Sequence, residues 1–310
     1  IMDYTFQQLR IFSTISETRS ITKAAEVLHI SQPAVSVQLK KFQDFFDNPL
    51  YEVIGRKLHL TDFGLEIAAV CRTTMQEAQQ LKNKSKEHKG ELWGTLKISV
   101  VSTAKYVMPY LLSDFLRIHP GVDLKMDVTN KQSVLESLEK NEIDFAMVST
   151  LPDNIRIHNI QLIPNKLHLI GSKSAPVITE LNNELGSSHT FIFREKGSAT
   201  RQIMENVLKD KKVNISKQLQ LTSNEAVKQA VIAGLGYSIM PLIGLRNALQ
   251  NGDVQIMPVE GLPVTTNWHL IWLKDKKLGT AQTAFLNYLK AEKDTILRDR
   301  FEWFEQFNTN

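Results

Sequence analysis

Two groups of polar residues in this 310-residue chain have types and spacings that could do chemistry. Between Ser31 and Lys41, the side chains of Ser31, Gln32, Ser36 and Gln38 offer hydrogen bonds and Lys40 and Lys41 add cations, with no acid before Asp44. That mixture suits phosphates and the edges of DNA bases. Arg56 and Lys57, between two short extended runs, could contact the backbone beside a groove. The second group is Ser102, Thr103, Thr129, Asn130, Ser149 and Thr150, which follow apolar runs in pairs, together with Arg194, Thr200 and Ser223. Hydroxyls and amide groups at helix starts favour an anion, and a guanidinium can grip a carboxylate or phosphate with two bonds. The plainer alternatives are a solvated basic face for the first group and ordinary helix capping for each hydroxyl of the second. Eight histidines and one cysteine, Cys71, show no ligand spacing, so neither a metal nor a cofactor is expected.

These residues need elements to hold them. Phe6, Leu9, Phe12 and Ile15 recur at helical spacing, predicting a first helix from about Thr5 to Ile15 with that stripe inward. Ser20 caps a second over Ile21 to Leu28, in which Ala24 and Ala25 allow close approach. Ser31 caps a third, with Pro33 in the first turn, where no N–H is needed. Its buried stripe is Val35, Leu39, Phe42 and Phe46; Ser36, Gln38, Lys40 and Lys41 face solvent. A second helix joined by a tight turn to a polar-faced third is a helix-turn-helix pattern, and three short helices also build protein-contact modules. Leu50 to Ile54 and Leu58 to Leu60 predict a hairpin, and Asp62 caps a long helix reaching about Lys89. In that helix Ile67, Cys71, Thr74, Ala78, Leu81 and Ser85 form a sparse heptad seam, either a contact between subunits or a helix lying on its own domain. The polar tract Lys82 to Gly90 reads as a connector.

Beyond Gly90 strands alternate with helices: Leu96–Val101, Met108–Arg117, Val122–Val128, Ser133–Asn141 and Phe145–Val148 in one set. A second set is Lys166–Gly171, Phe191–Phe193, Thr200–Asp210, Gln218–Leu221, Asn224–Ile232 and Tyr237–Met240, and Trp268–Trp272 and Ala281–Ala291 close the chain. The alternation predicts parallel sheets with crossover helices and a ligand cleft between two lobes. The expected organisation is a DNA-binding module at 1–61, a linker helix at 62–90, and a two-lobed α/β domain at 91–310. Lobe I takes about 91–163 and 267–310, and lobe II about 164–266.

Ala24-Ala25-Glu26-Val27-Leu28 followed by Ser31-Gln32-Pro33-Ala34-Val35-Ser36 resembles the winged helix-turn-helix of LysR-type transcriptional regulators. Asn48-Pro49-Leu50-Tyr51-Glu52, Gly55-Arg56-Lys57 and Leu60-Thr61-Asp62-Phe63-Gly64 are similar to that family's wing and linker start, with Val53 and Phe63 departing from the usual arginine and alanine. Within the family the chain resembles regulators of carbon-fixation operons through Val100–Tyr106, Gly197–Arg201, Ser223–Ala226 and Val259–Val264. The resemblance implies an all-α N-terminal module with a wing, and a two-lobed effector domain like a periplasmic binding protein. It also implies double-stranded DNA as partner, a homodimer through 62–90 often assembled as a tetramer, a possible RNA polymerase contact, and a small carboxylate or phosphate effector. Ser149-Thr150 stands where a glycine and an arginine are common, which predicts a less positive cleft.

Composition sets outer bounds. With 42% hydrophobic and 23% charged residues the chain has the make-up of globular proteins, and 37 basic against 33 acidic residues give only +4. Net charge therefore does not mark a nucleic-acid binder; placement must. The early charges Asp3, Arg10, Glu17 and Arg19 and the lack of a long apolar run predict a cytoplasmic protein without leader or membrane span. Two rivals remain. A transport-system solute receptor shares the two-lobed cleft, and Ser102-Thr103-Ala104-Lys105 fits the S-x-x-K pattern of serine hydrolases without their other motifs. Gly234-Leu235-Gly236 reads as a helix stop, not a dinucleotide loop.

Overall fold

A computed structural model describes residues 4–54, 57–87 and 92–307, in two compact units, chiefly 1–91 and chiefly 92–310. In the first unit α1 (Phe6–Thr18) starts with a reciprocal cap: Gln8 N donates to the Thr5 hydroxyl and Thr5 N to Gln8 Oε1. α2 (Ile21–Leu28) is capped by Ser20 and ends at His29 in the left-handed conformation, which makes the tight turn into α3 (Gln32–Gln43). β1 (Tyr51–Ile54) and β2 (Lys57–Leu60) pair antiparallel, and α4 (Asp62–Glu87) follows. Ile11, Phe12, Ile15, Val35, Leu39 and Phe42 are the buried heart of the unit.

Four local expectations are corrected. Phe6 is half exposed, and Ile11 fills the core instead, because the helix turns its 8-11-12-15 face inward. Phe46 lies past the end of α3 and is only half-buried. The cap of α4 is Thr61, whose hydroxyl accepts from Gly64 N at 2.9 Å and donates to Pro49 O at 2.6 Å; Asp62 is already helical. Cys71 is buried in the unit's own core with Ile67 packed against it, so the first half of the proposed seam is used within the chain. The side chains of Leu81 and Ser85 lie outside the described residues. Gly64 is required where it stands, since a Cβ there would overlap the Leu50 carbonyl.

The second unit begins with β3 (Gly94–Val101), α5 (Met108–Ile118), β4 (Val122–Thr129), α6 (Lys131–Glu139) and β5 (Phe145–Val148). β3 is parallel to both β4 and β5, as the βαβαβ alternation predicts. Next come β6 (Ile157–Ser172), α7 (Asn183–Ser188), β7 (Thr190–Arg194), α8 (Ala199–Asp210), β8 (Lys217–Leu221), α9 (Asn224–Ile232) and β9 (Ser238–Pro241). α10 (Arg246–Gln250), β10 (Val254–Ile256), β11 (Val264–Leu273) and α11 (Thr280–Phe301) complete it. β7 and β8 pair in parallel.

The wholly parallel expectation fails at β6 and β11. They pair antiparallel with each other, and β11 runs antiparallel to β5, so the main sheet is mixed, in the order β10-β6-β11-β5-β3-β4. The 16-residue β6 passes from lobe I, whose core holds Phe115, Phe145, Trp268 and Phe285, into lobe II, where Leu167 and Leu169 pack with Phe191 and Tyr237. The two lobes are thus joined by a pair of continuous strands. α11 runs ten residues past the predicted Ala291 because Leu297 and Phe301 still bury against lobe I.

Candidate functional site

On α3 the buried residues Val35, Leu39 and Phe42 fix the helix, and the rest of its surface is what a partner can reach. Ser31, Gln32, Pro33, Lys40, Lys41 and Lys57 are exposed; Ser36 and Gln38 are half-buried, not fully solvent-facing as expected. Ser31's hydroxyl accepts from Ala34 N at 3.4 Å, and Gln32 Nε2 donates to Ser36 Oγ at 3.1 Å. Both contacts are local and exposed, so they can be exchanged for a partner's groups. Arg56 lies outside the described residues.

In the second unit a small polar cavity opens between the lobes. From lobe I, Ser102, Thr103, Asn130, Lys131 and Ser149 line it; from lobe II, Arg194, Ser198, Thr200 and Asn224. Six of the nine residues expected at an effector site therefore meet here. Thr129, Thr150 and Ser223 do not line it. Ser223's hydroxyl accepts from Ala226 N at 3.1 Å, the plain capping role. Asn130 is committed likewise, its Oδ1 accepting from Ser133 N at 3.0 Å. Thr103 and Ser198 precede helical turns yet make no side-chain cap bond, which leaves their hydroxyls for a ligand.

Arg194 corrects a further expectation. Its guanidinium is 3% exposed and its Nε and Nη2 both donate to Glu195 at 2.8 Å, so the fork assigned to a ligand is taken by the next residue. Among the described residues none accepts from Nη1, the end left for the cavity. Arg201 fixes the strand end, donating to the Arg194 carbonyl at 2.8 Å.

Sequence reasoning missed Lys131 and Asn224. Lys131 Nζ donates to Thr150 Oγ1 at 2.6 Å, so Thr150 acts by holding the cation that its own position lacks. Burial lowers the Lys131 ammonium below the usual lysine range, with Asp153 opposing the shift. A signal existed: a lysine at the first residue of a helix sits against the positive end of the helix dipole, which makes sense beside an anion. Asn224 is 3% exposed and its Oδ1 has no partner. A buried amide oxygen left unpaired is costly, so it calls for a donor from a water or ligand. The hydrolase pattern gains nothing: among the described residues no hydrogen bond joins Ser102 to Lys105, whose ammonium lies 5.1 Å from the Tyr106 ring centre. Gly234, at φ +79°, ends α9 as a helix stop.

A helix-turn-helix with a small hairpin, and a two-lobed α/β unit around a polar cavity, define a DNA-binding regulator with its own sensor. Residues 6–65 match the family described as bacterial regulatory helix-turn-helix protein, lysR family, and residues 89–294 match the LysR substrate binding domain. The chain belongs to the LysR family of transcriptional regulators, in its carbon-fixation branch. It is 34% identical to the transcriptional activator CmpR of Synechocystis over 294 residues, 94% of this chain and 97% of that one. It is also 34% identical to a RuBisCO operon transcriptional regulator of Allochromatium vinosum over 293 residues, with the same coverage. The Synechocystis CcmR regulatory domain, solved in complex with 2-PG, matches at TM-score 0.60 and 31% identity, covering 64% of this chain and 97% of that one. CbnR in complex with its target DNA shares the fold, with TM-score 0.63 at 21% identity over 93% of this chain and 99% of that one. No described helix is long and apolar enough to cross a membrane.

Proposed function

We propose that this regulator is controlled by a small carboxylate or phosphate metabolite held between the lobes. Lys131 and Nη1 of Arg194 are its cationic contacts, the hydroxyls of Ser102, Thr103, Ser149, Ser198 and Thr200 donate to it, and Asn224 Oδ1 accepts from a hydroxyl of the metabolite or a water beside it. The observation that carries this reading is convergence: cationic donors from opposite lobes, Lys131 and Arg194, line one cavity with five hydroxyl groups. Lys131 makes up for the arginine that Ser149-Thr150 lacks, and the 2-PG bound by the CcmR domain is an anion of the matching kind. The test is calorimetric titration of the full chain with 2-phosphoglycolate. Binding that falls at least tenfold in both Arg194→Ala and Lys131→Met is expected; equal binding by all three would remove the cavity from consideration.

On DNA we assign Ser31, Gln32, Pro33, Ser36 and Gln38 to the groove-facing surface of α3, and Lys40, Lys41, Arg56 and Lys57 to phosphates. Binding to duplex DNA should weaken steeply with salt as counterions are released. A salt-independent interaction would contradict the assignment. The same reading divides the chain at 61 and 90, makes α4 the dimerisation helix of a cytoplasmic homodimer or tetramer, and leaves RNA polymerase as a further partner. Sedimentation of the full-length protein tests the dimer; the mass of a single chain would refute it.

A further inference from the structure

Two sequence motifs, Val100–Tyr106 and Ser223–Ala226, give Ser102, Thr103 and Asn224 to the cavity, and one further residue of each, Tyr106 and Glu225, meet across the cleft. Tyr106 ends the short 3-10 turn after β3 in lobe I, and Glu225 is the second residue of α9 in lobe II. The Tyr106 hydroxyl donates to Glu225 Oε2 at 3.1 Å. On α9 itself Lys228 Nζ approaches the same oxygen at 2.9 Å and Gln229 Nε2 donates to Oε1 at 3.0 Å, so the acceptor is held in place. The Tyr106 ring is packed too: the Lys105 ammonium lies 5.1 Å from its centre, and a Cβ added at Gly244 would lie 3.3 Å from the ring. Burial, then the nearby carboxylate, pushes the phenol up to about 12, which keeps it a donor. A second inter-lobe bond runs from Gln132 N to Gly197 O at 3.4 Å.

The cavity has about 10 Å³ of accessible space, room for roughly one water. A carboxylate or phosphate metabolite is several times larger, so its walls must part to admit one. Two of those walls are Thr103 and Asn224, three residues from Tyr106 and one from Glu225. We infer that the Tyr106–Glu225 hydrogen bond is an inter-lobe latch that holds the effector cleft shut and is released when an anion enters. Tyr106 thereby sets effector affinity without touching the effector, as a positioning residue. The binding half of this inference rests on the anion-effector reading above; the latch itself does not.

Tyr106→Phe and Glu225→Gln test it in the full chain. Without ligand, amide exchange in the first turn of α9 and at 104–107 should quicken by about tenfold in Tyr106→Phe, the lower range for a lost hydrogen bond to a charged group. Unchanged exchange would overturn the latch whether or not any anion binds. Titrated with 2-phosphoglycolate, Tyr106→Phe should bind about tenfold tighter, because the ligand no longer breaks that bond. A side chain needed only for packing would instead weaken binding, and equal or weaker binding by a folded variant overturns the inference. Glu225→Gln keeps an acceptor for the phenol without the charge and should tighten binding less; tightening in neither variant likewise overturns it. If wild type and variants all ignore 2-phosphoglycolate, the effector reading fails and the exchange result alone decides the latch.

Discussion

Replacing Glu195 with glutamine asks how Arg194 is kept buried, charged and available. Both bonds of the pair are 2.8 Å, and the side chains are 3% and 16% exposed. A guanidinium does not give up its proton in a protein, so without the carboxylate it stays a buried cation. Breaking a buried ion pair from one side costs about 3–5 kcal/mol. Glutamine keeps one acceptor and residue 195 keeps some water, which reduces the expected loss to about 2 kcal/mol. For a unit of roughly two hundred residues that is a fall in melting temperature of about 4–8 °C. An anion in the cavity then supplies the missing counter-charge, so the variant should bind 2-phosphoglycolate about tenfold more tightly. At saturating ligand this returns about 1.4 kcal/mol more stabilisation than in wild type. Calorimetric melts of both proteins across a ligand titration read both effects. A variant that melts with wild type, or gains no more from the ligand, would refute the idea that Arg194 reads charge in the cavity.

Four further perturbations separate the roles argued above. Lys41→Ala should weaken binding to all DNA sequences alike and reduce the salt slope by about one, measured by fluorescence titration; altered site preference would mean that Lys41 reads bases. Gly64→Ala, although alanine favours helix, should destabilise the N-terminal unit by about 1–3 kcal/mol because its Cβ meets the Leu50 carbonyl; an unchanged melt would show that α4 can shift away. Buried His168, with Nε2 unpartnered, is pushed down to about 4, first by burial and then by Lys166. Its folded value lies below its ordinary 6.5, so stability is full above 6.5 and is lost as pH falls toward 4, by up to about 3 kcal/mol. His168→Leu should flatten that part of the pH–stability curve, and an identical slope would refute it. Because burial lowers Lys131 and an anion would raise it again, binding of 2-phosphoglycolate at alkaline pH should take up protons. Calorimetry in buffers of different ionisation enthalpy measures that uptake; the same uptake in Lys131→Met would assign it elsewhere.

What was legible in the sequence was whatever local chemistry decides. α2 and α9 begin and end where Ser20 and Ser223, followed by apolar spacing, place them, and β5 is a bare apolar run with no other reading. Ser31 with Pro33 marks α3 for the same reason. The mixed sheet was hidden because β6 acquires its partner about a hundred residues later, and its first half carries Asn159, Gln161 and Pro164 where a strand signal would need apolar residues. Ile11 displaced Phe6 because the face that α1 buries is set by α2, α3 and α4 together, not by its own periodicity. At the cavity the strand ends announced Ser102, Thr103 and Ser149, while Asn224 gave no sign, since the burial that leaves its Oδ1 without a partner is a tertiary property.

The distribution of charge around the cavity explains why both lobes are needed. Glu195 offsets Arg194 within lobe II, so that lobe offers directed N–H groups with little net charge. Lys131, held by Thr150 in lobe I, is the cation without a carboxylate bonded to it among the cavity residues. An anion seated on lobe II alone gains geometry but little Coulomb energy, and one seated on Lys131 alone gains charge without orientation. Only a ligand spanning the two collects both. That is the condition for it to bias the arrangement of the lobes, because a ligand shifts an equilibrium only by its difference in affinity for the two states. The Tyr106–Glu225 bond opposes the same displacement, so effector response is set by the balance between one hydrogen bond within the protein and the bridging contacts of the anion.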